Sequence, residues 1–97
     1  MIEVRETKEF GDWLVALRDD RAAARILVRI ARLSAGNFGD VKRLSKTVSE
    51  LRIDYGPGYR LYFTRQGDEL VILLCGGDKR TQDTDLARAE RLAEGLT

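Results

Sequence analysis

The second half of the chain is committed to a β-sheet by one stretch. Between Glu50 and Gln82 it reads ELRIDYGPGYRLYF and then ELVILLCGGDKRTQ. Gly56–Pro57–Gly58 is hairpin chemistry, because proline fixes one turn angle and glycine supplies positive φ. Strands are expected at Val48–Tyr55 and Tyr59–Thr64. Register follows from matching faces, since a one-residue slip reverses every side chain. A three-residue loop pairs Tyr55 with Tyr59, Ile53 with Leu61 and Leu51 with Phe63 toward the core. The other face then pairs Asp54 with Arg60, Arg52 with Tyr62 and Glu50 with Thr64, with Asp54 and Arg60 as a cross-strand ion pair. Glu69–Gly76 is apolar almost throughout, as a central strand covered on both sides is.

Arginine on a rigid strand is a poor proton carrier near neutrality, because its pKa is too high. It is a good phosphate partner, since its planar fork donates two hydrogen bonds at once. Arg52 and Arg60, with Lys79 and Arg80 just past the central strand, therefore point to a polyanion such as RNA.

The remaining elements complete a small α+β domain spanning residues 1–97. Met1–Arg5 alternates like an edge strand. Phe10, Trp13, Leu14 and Leu17 recur at helical spacing between Thr7 and Asp19. Asp19 or Asp20 can cap a second helix, whose apolar face is Ala23, Ile26, Leu27, Ile30 and Leu33. Arg21, Arg25, Arg29 and Arg32 form a basic stripe on its other side. Gly36 ends that helix, Asn37–Phe38–Gly39 is a turn, and Val41–Leu44 is a short strand. From Gln82 a last helix turns Leu86, Ala89, Leu92 or Ala93, and Leu96 inward. The expected order is β-α-α-β-β-β-β-α, with helices packed on an antiparallel sheet.

Composition excludes several functions. A chain of 97 residues, 43% hydrophobic and 34% charged, is an ordinary soluble domain. No apolar run approaches the roughly 20 residues that span a bilayer. The N-terminus lacks the order of a signal peptide, so a cytoplasmic location is expected, with no membrane partner. Cys75 is the single cysteine and lies in an apolar run, so it should be a buried core thiol. Histidine is absent, which removes the usual zinc ligand and the usual neutral-pH acid–base group together. No metal or organic cofactor is implied.

Net charge is only +1, but residues 1–20 carry −3, residues 21–65 carry +7 and residues 66–97 carry −3. A basic middle between acidic flanks suits a phosphate backbone held on one surface. Lys42, Arg43 and Lys46 extend this basic zone as candidate RNA contacts, and Tyr62 is a candidate for stacking on a base.

Cleaving RNA through its own 2′-hydroxyl needs a base on that hydroxyl, charge stabilisation at phosphorus and a proton for the leaving oxygen. Charge stabilisation is the best supplied of the three, each preorganised donor being worth roughly 10²–10³ in rate. Arg60 and Arg80 are assigned to the phosphate, with Arg52 and Lys79 assisting. The base is Glu50 if desolvation raises its pKa, or Lys79 if neighbouring arginines lower its own.

These residues carry a family resemblance. AGNFGDVKRLSKTVSELRIDYGPGYRLYF followed by LLCGGDKRTQDTDLARA resembles the HigB-like addiction-module killer proteins of the RelE/ParE toxin superfamily, and the resemblance extends over nearly the whole chain. It implies the toxin of a type II toxin–antitoxin module, neutralised by a cognate antitoxin encoded beside it and often carrying a helix-turn-helix region. Many such relatives cut mRNA in the ribosomal A site, making ribosome and mRNA the expected partners. Arg52, Arg60 and Arg80, with Lys79 adjacent, fall where those enzymes carry catalytic basic groups. The catalytic tyrosine that some relatives place after the last strand is missing here, and Glu50 stands where some carry a lysine. The alternatives are a non-enzymatic toxin acting on gyrase and a scaffold that has lost catalysis. On this reading Arg60→Ala abolishes growth arrest and leaves folding and antitoxin binding largely intact.

Overall fold

The computed structural model describes residues 1–96, and local sequence signals account for most of its element boundaries. The order is β1 (Glu3–Glu6), α1 (Lys8–Ala16), α2 (Asp20–Ser34), β2 (Val41–Arg43), β3 (Ser49–Ile53), β4 (Tyr59–Gln66), β5 (Leu70–Asp78), a 3₁₀ turn (Lys79–Thr81) and α3 (Gln82–Glu94). Thr7 caps α1 by accepting from the Phe10 amide, and Asp19 caps α2 by accepting from Arg21 and Ala22. Past the end of α2, Gly36 takes φ of 93°, a region closed to most side chains.

The sheet is mixed rather than antiparallel. Its strand order is β1-β5-β4-β3-β2, and β1 runs parallel to β5 while every other pairing is antiparallel. The two helices after β1 carry the chain to β2 at the far edge, and three antiparallel steps then bring β5 back beside β1 in the same direction, which alternation within five residues cannot reveal.

The hairpin register also differs from the expected one. Ile53 lies opposite Tyr59, Arg52 opposite Arg60, Leu51 opposite Leu61 and Glu50 opposite Tyr62. Asp54–Gly58 forms the connection, with Gly56 and Gly58 at φ of 57° and 82°. The displacement is an even number of residues, so each side chain keeps its face but changes its partner. Asp54 accordingly makes no ion pair with Arg60.

Both faces of the sheet are covered. One face packs Leu51, Ile53, Leu61, Phe63, Val71 and Leu73 against Phe10 of α1 and Ala22, Ile26 and Leu33 of α2. The other packs Tyr62, Ile72, Leu74 and Cys75 against Ala89 and Ala93 of α3. Cys75 is buried, as its apolar setting suggested. A β-bulge between β4 and β5 sets Tyr62 opposite Cys75 but Phe63 opposite Leu73, leaving Leu74 extra.

The bulge turns Gly76 toward α1 and Gly77 toward α3. A Cβ on Gly76 would lie 2.5 Å from Trp13 Cδ2, and one on Gly77 would lie 2.7 Å from Asp85 Cγ. Only glycine lets both helices approach β5 this closely. Two apolar residues expected inside are outside: Leu27 is 55% exposed and Leu96 38%. Leu27 sits where the helical face turns away from the sheet, and Leu96 lies beyond the last turn of α3. No helix among the described residues is long and apolar enough to cross a membrane.

Candidate functional site

Arg52 on β3 and Arg60 on β4 face each other across the hairpin. Like charges directly opposite destabilise a sheet, so this row requires counter-charges. Arg60 Nη1 donates to Glu50 Oε1 at 2.7 Å, with the two side chains only 14% and 3% exposed. Arg52 donates to Asp40 Oδ1 from Nη2 at 2.8 Å and from Nε at 3.3 Å, near the surface. That hydrogen bond holds the Asp40 carboxyl below the usual carboxylate range and raises Arg52 further. Asp40 was not singled out in the sequence. It is twelve residues from Arg52 along the chain, and only the β2–β3 pairing brings them together.

Lys79 follows β5 and comes over the turn, where a Cβ on Gly58 would lie 3.7 Å from the lysine Cβ. Arg52, Arg60 and Lys79 thereby line one open cleft of about 360 Å³ with Asp40, Asp54 and Tyr59. Three cations and two carboxylates share this concavity, and strand geometry fixes the positions of Arg52 and Arg60.

Other expected residues fall elsewhere. Arg80 is held by Asp78, which accepts from its amide at 2.8 Å and from Nη2 at 2.9 Å. Asp78 caps the 3₁₀ turn, and the bond to Arg80 lowers its pKa. Arg80 lines a neighbouring groove with Trp13 and Arg88 instead of the cleft. Glu50 lies beneath the cleft, engaged with Arg60. Lys42 and Lys46 are exposed, while Arg43 ties down the turn after β2 by donating to the carbonyls of Ser45 and Lys46 at 3.1 and 3.3 Å.

Tyr62 corrects an expectation outright. Its side chain is fully buried under α3, so the ring cannot stack on a base. Desolvation raises its hydroxyl pKa, and neither that hydroxyl nor Arg60 Nε has a hydrogen-bond partner among the described residues. Alternation correctly put Tyr62 on the face opposite the larger core. It could not show that a C-terminal helix covers that face.

Asp85 was also missed. It is buried in the first turn of α3, bonded to the Thr81 hydroxyl and seated over Gly77. The Gly-Gly pair at 76–77 was its sequence signal. Among the described residues no three His, Cys, Asp or Glu side chains form a group able to hold a metal ion.

The family model of the Gp49-like phage-derived proteins matches residues 12–94. An uncharacterized protein of Haemophilus influenzae is 52% identical over 95 residues, covering 98% of this chain and 96% of that protein. The matching family is distinct from the HigB-like killer proteins, and this corrects the resemblance drawn from the hairpin and its basic residues.

Proposed function

Because the chain belongs to the Gp49-like family of phage-derived proteins, which is often associated with toxin–antitoxin modules, we propose that it is the toxin of such a module and acts on mRNA as a metal-independent endonuclease. The observation that carries this reading is the Arg52–Arg60–Lys79 cleft, in which cross-strand arginines are kept together by one buried carboxylate, Glu50, and one exposed carboxylate, Asp40. A fold places like charges opposite one another only against a cost; Glu50 and Asp40 offset it in the free protein, and the paired arginines with Lys79 remain grouped where a phosphate can engage them.

In the reaction, the 2′-oxygen bonds to the adjacent phosphorus while the bond from phosphorus to the 5′-oxygen breaks. The 2′-hydroxyl loses a proton and the departing oxygen gains one, leaving a cyclic phosphate and a free 5′-hydroxyl. Arg60 and Arg52 stabilise the charge that builds on the phosphorane oxygens. Lys79, exposed at the cleft rim, is the proton-transfer group placed to reach substrate. Glu50 serves as a positioning residue, since its carboxylate is buried against Arg60. Arg80 contributes at the neighbouring groove as an RNA contact. The ribosome supplies an oriented substrate, which accounts for a site with few acid–base groups of its own.

The test is mRNA integrity in a cell-free translation reaction given the purified protein, with and without ribosomes engaged on the message. Codon-phased cuts on translated mRNA are expected. Intact message refutes the nuclease reading and moves the search to gyrase, or to a scaffold whose role is binding its antitoxin.

A further inference from the structure

A second groove lies apart from the catalytic candidates. It runs along α2, encloses about 650 Å³, and is lined by Arg21, Arg25, Arg29 and Arg32 with Val28 on its floor. Four arginines at spacings of four, four and three make a stripe roughly 16 Å long. Such like-charge neighbours at helical spacing destabilise a helix. Asp54, at the far wall, is the one carboxylate lining the groove.

The inner two arginines are held in place. Arg29 donates to the carbonyls of Arg52 and Phe38 at 2.8 and 3.3 Å, and the Arg25 guanidinium lies 4.5 Å from the Tyr55 ring centroid. The side chains of Arg21 and Arg32 have no partner among the described residues. Val28 is 49% exposed between them. A row of fixed and free cations flanking an apolar residue is complementary to an acidic segment with an apolar anchor.

We propose that the α2 groove is the docking site for an acidic amphipathic helix of a partner protein. The carboxylates would recur at the spacing of the arginine stripe, and an aliphatic side chain would cover Val28. A nucleic-acid strand fits less well. It would leave Val28 uncovered, and the Tyr55 face that could stack a base already carries Arg25. Ile53 and Asp54 border both this groove and the Arg52–Arg60–Lys79 cleft. A helix seated on α2 therefore ends at the cleft mouth and can block it. Identifying that partner as the module's antitoxin rests on the functional reading above, whereas the binding chemistry does not.

The probe is a dye-labelled helical peptide of about 16 residues, with glutamates at the arginine spacing and leucines beside them, read by fluorescence anisotropy. A scrambled peptide of equal charge and a dye-labelled oligouridine are the controls. The variants Arg21→Glu/Arg32→Glu and Val28→Asp alter exposed positions without side-chain partners and keep the fold. The phased peptide should bind, and each variant should weaken it about tenfold or more, while the scrambled peptide binds no better than that. Equal binding of both peptides overturns the proposal. So does oligouridine binding that depends on Arg21 and Arg32 but not on Val28. The same preparation is assayed for mRNA cleavage. Cuts without peptide binding remove the groove and spare the nuclease; peptide binding with intact message does the reverse.

Discussion

The buried pair of Glu50 and Arg60 makes the sharpest prediction, because it changes what an Arg60 variant can report. At 2.7 Å, with an effective dielectric near 20, the direct attraction is about 6 kcal/mol. Desolvation of both ions cancels much of this. Removing one partner leaves the other charged and uncompensated, at a cost of about 3–5 kcal/mol. Domains of this size have about 5–15 kcal/mol of stability in total. Arg60→Ala is therefore expected to lose a large fraction of that stability, rather than leave folding intact. Glu50→Met alone strands the guanidinium and should cost a similar amount. Glu50→Met/Arg60→Met replaces the pair with apolar groups and should be more stable than either single Arg60→Met or Glu50→Met. Urea unfolding followed by the fluorescence of Trp13, the sole tryptophan, measures all four species of the cycle. A coupling energy of about 2 kcal/mol or more is expected, and a value under about 0.5 kcal/mol refutes the reasoning. Loss of RNA cleavage in the double variant, at retained stability, then assigns the Glu50–Arg60 pair to the site.

Gly77→Ala drives a methyl to 2.7 Å from Asp85 Cγ and 2.8 Å from Thr81 Oγ1. It should cost about 1–3 kcal/mol by overpacking and lower the urea midpoint; an unchanged midpoint would show that α3 shifts freely. Burial pushes the Cys75 thiol up from 9.0 to about 12 and raises the Tyr62 hydroxyl as well. The folded state thus keeps protons that the unfolded state releases. Stability from these groups is whole below about pH 9 and is lost as pH rises toward 12. Urea midpoints across that range should fall, with a shallower decline in Cys75→Ala; parallel slopes would exclude the thiol as a contributor.

How much of this was legible depended on range. The helix caps, the turn glycines and the face assignment of every hairpin residue are local properties, written in neighbouring residues and in the period-two alternation. They place Arg52, Arg60 and Lys79 near one another. The register was not legible, because an even slip keeps every residue on its face and so leaves no trace in hydrophobic patterning. The parallel placement of β1, the Asp40–Arg52 bond and the α3 cover over Tyr62 join segments far apart in sequence, where pairing energy rather than propensity decides. The family signal misled for a related reason, since a glycine hairpin flanked by basic strand residues serves more than one family.

Sequence alone determined an α+β chain with a basic middle, no histidine and a hairpin bearing arginines on one face. Those are consequences of residue chemistry and backbone freedom. Tertiary structure decided which arginine keeps which carboxylate, which aromatic is sealed away and which cations share a cleft. Charges separated along the chain interact according to distance and burial, and both exist only once the sheet and its three helices have closed on each other.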